Sequence, residues 1–154
     1  MSEQATSRIR VVEAATDELY NHVFEIRTTV FVDGESVDQD DEYDGFDHLA
    51  THYLAYYEDT PVGAARWRKV PLNNKTRLER FAVLEAYRGK GVGRALLERV
   101  MDDVPKDREI FVHAQLHNLG FYGKFGFESE GEDFEEAGIM HRKMVYQGSM
   151  GREQ

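Results

Sequence analysis

The sequence predicts an α/β fold, a mixed sheet with helices packed against it. Three observations predict it: strand-like runs recur along the chain, two segments carry apolar residues at helical spacing, and a glycine-rich turn joins a strand to a helix. Residues 8–14 alternate through Ile9 and Val11 as a first strand. Thr16 and Asp17 can cap a helix on which Leu19, Val23, Ile26, Val30 and Phe31 share a face. An acidic loop follows. Residues 52–58 and 62–69 are aromatic and β-branched runs joined through Asp59-Thr60-Pro61, which reads as a hairpin. Residues 78–84 form a further strand whose end, Phe81-Ala82-Val83-Leu84, is apolar throughout and asks to be covered on both faces. From Val92, the residues Val92, Ala95, Leu96, Val100 and Met101 make one helical stripe that Pro105 closes. Residues 109–114 read as a buried strand, 119–125 as a short helix, and Phe127 onward with 139–146 as a closing strand pair.

With 154 residues, no repeat and no Pro/Ser-rich linker, the chain is expected to be a single domain, 1–154, with an ordered core of about 8–146. The absence of cysteine removes disulfides, thiolate zinc sites, iron-sulfur clusters and cysteine nucleophiles at once. No apolar run approaches the roughly 20 residues of a spanning helix, and residues 1–10 hold no apolar signal core. A soluble, cytoplasmic protein without membrane association is the expectation. The formal net charge of -10 argues against a broad nucleic-acid surface, whose affinity comes from Lys and Arg neutralising phosphates.

The acid is unevenly placed. Between Arg27 and Arg66 there is no Lys or Arg, while Asp33, Glu35, Asp38, Asp40, Asp41, Glu42, Asp44 and Asp47 crowd one stretch. Such a run is either a solvated surface, as in adaptation to high salt, or a field that draws in a cationic substrate.

Arg88-Gly89-Lys90-Gly91-Val92-Gly93-Arg94 lies between the apolar strand and the second amphipathic helix. A strand-to-helix junction presents unpaired N–H groups and the positive end of a helix dipole, and glycines let that backbone approach oxygen atoms closely. The segment therefore reads as an anion site. A Walker loop would need Ser or Thr after Lys90, where Gly91 stands, and a dinucleotide fingerprint would need glycine where Arg94 stands.

On these residues the chain resembles the GNAT superfamily of N-acetyltransferases. Arg88-x-x-Gly91-x-Gly93 is similar to the superfamily's acyl-CoA pyrophosphate loop, and Phe121-Tyr122-x-Lys124-x-Gly126-Phe127 to its Phe-Tyr-x-x-x-Gly-Phe segment. Arg27-x-x-Val30-Phe31-Val32 before the acidic loop, and Glu136-Ala137-Gly138-Ile139-Met140-His141 before the last strand, resemble the ElaA-like and YjcF-like branch, in which a proline usually stands at the place of Met140. The resemblance spans nearly the whole chain. It implies a mostly antiparallel twisted sheet of six to seven strands and transfer of an acetyl group from acetyl-CoA to a primary amine, a small molecule or a peptide amino-terminus. No metal is implied, and a homodimer is compatible with it. The same fold could instead serve as a CoA-binding sensor, or as an interaction domain without the coenzyme.

The resemblance also implies roles. The loop Arg88, Gly89, Lys90, Gly91, Val92, Gly93 and Arg94 would bind the pyrophosphate. The main chain of Phe81, Ala82 and Val83 would hold the pantetheine arm like an added strand and donate an N–H to the oxyanion. Asn118, an N-cap by type, would also reach the pantetheine. Tyr122 is placed as the acid that protonates the departing thiolate, since a phenol stays protonated at neutral pH; its other role would be packing with Phe121 and Phe125. An alkyl amine must lose a proton before it attacks, and Glu79 is the candidate base, expected on the same strand face as Phe81; a surface ion pair with Arg77 or Arg80 would account for it as well. His113 and His141 are candidates to touch the acceptor or relay a proton, against a structural role for each. The pairs His113/His117 and His48/His52 lack a third ligand, so no metal site is expected. Without cysteine there is no thioester-linked acetyl-enzyme, so the amine attacks directly in a ternary complex.

Overall fold

The computed structural model describes residues 8–148; the rest of the expected 1–154 domain, with residues 1–7 of the stretch read for a signal core, lies outside the described residues. Seven strands, β1 (Ile9–Glu13), β2 (Thr51–Tyr57), β3 (Thr60–Val70), β4 (Lys75–Val83), β5 (Ile110–Gln115), β6 (Phe127–Glu136) and β7 (Ile139–Tyr146), form one sheet in the order β1-β2-β3-β4-β5-β7-β6. The helices are α1 (Asp17–Arg27), α2 (Gln39–Glu42), α3 (Val92–Asp103) and α4 (Leu119–Gly123). This is the mixed α/β fold that the alternation of strand and helix patterns predicts. The described residues divide into two compact units, 8–67 with 80–104, and 68–79 with 105–148. Among the described residues no helix is long and apolar enough to cross a membrane.

In the first unit, β1 pairs antiparallel with β2, and β2 with β3. The hairpin turns at Glu58, in left-handed conformation (φ 56°), and β3 already begins at Thr60, so Pro61 lies inside the strand rather than in the turn as expected. Thr16 caps α1 by accepting from the Leu19 amide at 3.2 Å, as its residue type predicts. The expected helix through Phe31 then changes character, since Thr28–Gly34 is a π-helix. Thr28, Thr29, Val30 and Val32 are β-branched and crowd an α-helical turn, and the Thr28 hydroxyl donates back to the Phe24 carbonyl at 2.9 Å. Val23, Ile26 and Val30 pack with Leu54, Ala64 and Ala82 in the core of this unit. Helix α3 buries Val92, Leu96, Val100 and Met101 of the stripe read from its period, and Leu97 in addition, while Ala95 is only half-buried.

In the second unit, β4 runs parallel to β5 from Thr76 to Leu78, β5 pairs antiparallel with β7, and β7 with β6. Strand β4 starts three residues before the expected Leu78. The β6–β7 turn is Ala137-Gly138 with both residues at positive φ, 54° and 81°, the pattern of a type I′ hairpin.

Candidate active site

The glycine turn has the geometry an anion site requires. Gly89 (φ 80°) and Gly91 (φ 95°) are left-handed, a conformation that a Cβ disfavours. Gly91 is the N-cap of α3 and no side chain caps it; the first intrahelical bond runs from the Ala95 amide to the Gly91 carbonyl at 3.0 Å. The N–H groups of Val92, Gly93 and Arg94 therefore have no partner within the helix, and they stand at the positive end of its dipole. Arg88, Lys90 and Arg94 are exposed around this turn. Arg88 Nε donates to the Val83 carbonyl at 2.9 Å, Lys90 Nζ stands 5.6 Å from the centre of the Tyr57 ring, and Arg94 makes only a solvent-exposed pair with Glu98. The turn is anchored from beneath. The Leu84 amide donates to the Val62 carbonyl at 2.9 Å, and Gly63 passes so near α3 that a Cβ there would lie 2.8 Å from Val92 Cγ1.

Strand β4 departs from regular geometry just before the apolar residues Phe81, Ala82 and Val83. Arg80 has φ 59°, so strict alternation is broken between Glu79 and Phe81, and period two no longer puts them on one face.

The largest feature missed by sequence reasoning is an ionic ring in the first unit. Glu42 places Oε2 2.6 Å from Arg27 Nε and Oε1 3.1 Å from Arg80 Nε. Asp44 Oδ2 accepts from Arg80 Nη2 at 3.1 Å and from Arg66 Nη2 at 2.8 Å. Asp47 Oδ1 accepts from Arg66 Nη1 at 2.6 Å and from Arg27 Nη1 at 2.7 Å, which closes the ring. The three guanidiniums come from α1, β3 and β4, and all three carboxylates from the acidic stretch. The expectation that this stretch is solvated or wholly free to steer a cation is thereby corrected. Glu42 is 2% exposed and neutralised, while Asp33, Asp38, Asp40 and Asp41 do face solvent.

Burial, the largest influence, pushes the Glu42 carboxyl up against the pull of Arg80 and Arg27. Burial likewise acts upward on Asp47, but Arg27 and Arg66 prevail and bring it down to about 2. The Tyr20 hydroxyl donates to Asp47 Oδ2 at 3.0 Å, and burial with the Asp47 charge lifts that phenol to about 12. His52 Nε2 lies 2.8 Å from the Asp47 carbonyl, and burial lowers the imidazole's affinity for a second proton.

In the second unit, Glu79 is buried rather than at the surface. Its side chain is 4% exposed, with Oε2 accepting from Arg68 Nε at 2.6 Å and Oε1 3.1 Å from Arg77 Nε. Arg77 Nη2 also donates to Glu136 Oε2 at 2.8 Å, and Glu136 Oε1 lies 2.8 Å from His113 Nδ1. Desolvation acts upward on Glu136, yet His113 and Arg77 outweigh it and hold the carboxyl down at about 2. His113 lies within β5, with its ring against Phe111 and Phe134. A carboxylate fixing one imidazole nitrogen leaves the other to exchange a proton, the arrangement of a base and its orienting group. His141 is buried, Nδ1 lies 2.7 Å from the Ile139 carbonyl, and the ring stacks on Phe134.

Tyr122, in α4, is buried edge-on to Phe121 and Phe127, and burial pushes its phenol well up, so that it holds its proton across the neutral range. Asn118 occupies the N-cap position of α4, but its side chain makes no capping hydrogen bond, contrary to its type. Among the described residues no group of three or more His, Asp or Glu is placed to hold a metal ion.

Residues 28–147 match the family model described as an acetyltransferase (GNAT) domain. The N-acetyltransferase YjcF of Bacillus subtilis, itself uncharacterised, is 31% identical over 141 residues that span 89% of this chain and 99% of that protein. Protein ElaA of Escherichia coli is 31% identical over 138 residues, 86% of this chain and 90% of ElaA, and its crystal structure superposes with a TM-score of 0.77 at 27% identity, covering 90% of this chain and 98% of that one. Naa50 of Arabidopsis thaliana, solved in complex with the bisubstrate analogue CoA-Ac-MVNAL, superposes with a TM-score of 0.71 at 25% identity, covering 92% of this chain and 99% of that one.

Proposed function

The chain belongs to the GNAT family of acetyltransferases, and from that premise we propose that the 154 residues act as one catalytic domain that moves an acetyl group from acetyl-CoA to a primary amine by direct attack in a ternary complex. The observation that carries this reading is the uncapped start of α3 behind two left-handed glycines, a donor set of main-chain amides and exposed cations suited to a diphosphate. Gly89, Lys90, Gly91, Val92 and Gly93 supply amides, and Arg88, Lys90 and Arg94 supply charge. Phe81, Ala82 and Val83 offer main-chain groups to the pantetheine arm and the oxyanion, and the uncommitted amide of Asn118 adds a polar contact.

Tyr122, kept protonated by burial, is the proton source for the departing thiolate. Glu79 is the carboxylate toward which the amine's proton is drawn, and Arg68 and Arg77 fix its position. His113, oriented by Glu136, and His141 are the acceptor-side groups, His113 with one nitrogen left to carry a proton. A peptide amino-terminus is one acceptor class to try first, since the Naa50 structure holds a CoA-acetyl-peptide analogue; small amines are the other.

The test is release of free CoA from acetyl-CoA over a panel of amines, polyamines, aminoglycosides and peptides, with the acetylated product identified by mass. Turnover with intersecting double-reciprocal plots is expected. Binding of acetyl-CoA without turnover of any acceptor would instead indicate a sensor, and no binding at all would end the reading.

A further inference from the structure

A non-glycine residue stays left-handed inside a strand only when its surroundings hold it there, and such strain concentrates at functional positions. Arg80 is such a residue, at φ 59° in β4. Its guanidinium shows what holds it. Nη2 donates to the carbonyls of Asp41 and Glu42 at 3.0 and 3.2 Å and to Asp44 Oδ2 at 3.1 Å, while Nε stands 3.1 Å from Glu42 Oε1. Glu42 cannot turn away, because its other oxygen and its carbonyl are taken by Arg27 at 2.6 and 2.9 Å. One side chain thus ties the acidic segment to the residue that immediately precedes Phe81, Ala82 and Val83.

We propose that Arg80 is a positioning residue for acetyl transfer: its grip on Glu42, Asp44 and the main chain of the acidic segment keeps β4 left-handed at residue 80, and so aims the Phe81–Val83 amides. The proposal rests on the acetyltransferase reading. The grip asks for arginine, because a forked planar cation reaches two carbonyls and two carboxylates at once, whereas a lysine ammonium is a single point of charge. The backbone alone asks for glycine, which adopts this φ without strain. The two demands separate in the variants.

Arg80→Gly and Arg80→Lys are compared with the parent at a temperature where circular dichroism shows each folded, with acetyl-CoA affinity by calorimetry and turnover by CoA release on the best acceptor. Acetyl-CoA affinity is expected to fall by less than kcat, since the amides and cations of the 88–94 turn are untouched and only the hold on the pantetheine arm at Phe81–Val83 is altered. In Arg80→Gly, kcat should fall by about ten- to a hundredfold, the scale of a misplacement near 1 Å. Arg80→Lys should recover only part of the loss. Retention of kcat within twofold in Arg80→Gly overturns the proposal, and so does a kcat that falls only in step with acetyl-CoA affinity, which would mark a merely structural part. If Arg80→Gly does not fold, Glu42→Gln, which keeps the shape and loses the charge, must show the same split between kcat and affinity, and unaltered kcat there overturns the proposal. A parent protein that binds acetyl-CoA and acetylates nothing overturns both readings together; an active parent with indifferent variants overturns this one alone.

Discussion

Gly63→Ala adds one methyl group where β3 passes under the first turn of α3, and the contacts it would meet set the size of the effect. The new Cβ would lie 2.8 Å from Val92 Cγ1, 3.1 Å from Leu96 Cδ1 and 3.2 Å from the Ala82 carbonyl oxygen. Carbon atoms rest at about 3.5–4.0 Å, so the helix must lift by roughly 0.7 Å or more. The Leu96 methyl can swing aside, but Val92 is 1% exposed and stiff about χ1, and the Ala82 oxygen is main chain. Overpacking of this kind costs about 1–3 kcal/mol, which for a chain of this length lowers Tm by about 2–4 °C per kcal/mol. Because Val92 is the first residue of α3, the same displacement moves the amides behind Gly91, and acetyl-CoA affinity should drop together with Tm. Scanning calorimetry of the free protein and titration with acetyl-CoA read the two effects. A Tm within about 1 °C of the parent together with an unaltered Kd would refute the packing of β3 on α3 from which the magnitude is drawn.

Gly91→Ala meets only Ile9 Cδ1 at 3.6 Å, so its penalty is conformational: at φ 95° an alanine is strained, and acetyl-CoA affinity should fall with little loss of Tm, as titration and thermal denaturation will show. Asp47, at about 2 when folded against 3.8 otherwise, contributes stability that is complete above its unfolded pKa and is lost as the pH falls through the folded one, a difference of about 2 kcal/mol. His52 acts with the same sign lower in the neutral range, since burial lowers its pKa and acid therefore favours the unfolded chain. Asp47→Asn should lower stability at pH 7 by at least Asp47's share and flatten the decline on the acid side; urea denaturation at a series of pH values that gave parallel curves for the two proteins would remove Asp47 from that role. Tyr122→Phe keeps the ring packed against Phe121 and Phe127, so Tm should hold while kcat drops by about 10²–10⁴, the range for general acid catalysis; an unaltered kcat would leave Tyr122 as packing alone.

The readings that survived contact with the structure are local ones. Alternation at Ile9 and Val11, the Thr16 cap and the stripe from Val92 to Met101 each depend on residues within a turn or two of one another, so the chain states them directly. The glycine turn is of the same kind: no other residue suits positive φ at both 89 and 91, and an uncapped helix follows at once. Where the reading went astray, a neighbour in space had replaced a neighbour in sequence. Adjacency in the chain offers Glu79 the cations Arg77 and Arg80; Arg77 does pair with it, but Arg68, eleven positions away, joins it as well, while Arg80 turns to Glu42 and Asp44. A left-handed arginine in mid-strand, a π-helical continuation of α1 and an asparagine at an N-cap that caps nothing all run against residue preference, and tertiary contacts of more than one residue decide them.

The sequence by itself determined the order of strands and helices, the left-handed glycine turn at the start of α3 and the family resemblance, because periodicity and backbone freedom are carried residue by residue. Only the tertiary structure decided how the acidic stretch is used. Arg27, Arg66 and Arg80 lie 15 to 38 positions from the carboxylates they meet, and nothing in a linear string of like charges says which will be brought against a buried guanidinium. The desolvation of those arginines makes partners obligatory, and it is the fold that chooses Glu42, Asp44 and Asp47 over the equally acidic residues beside them.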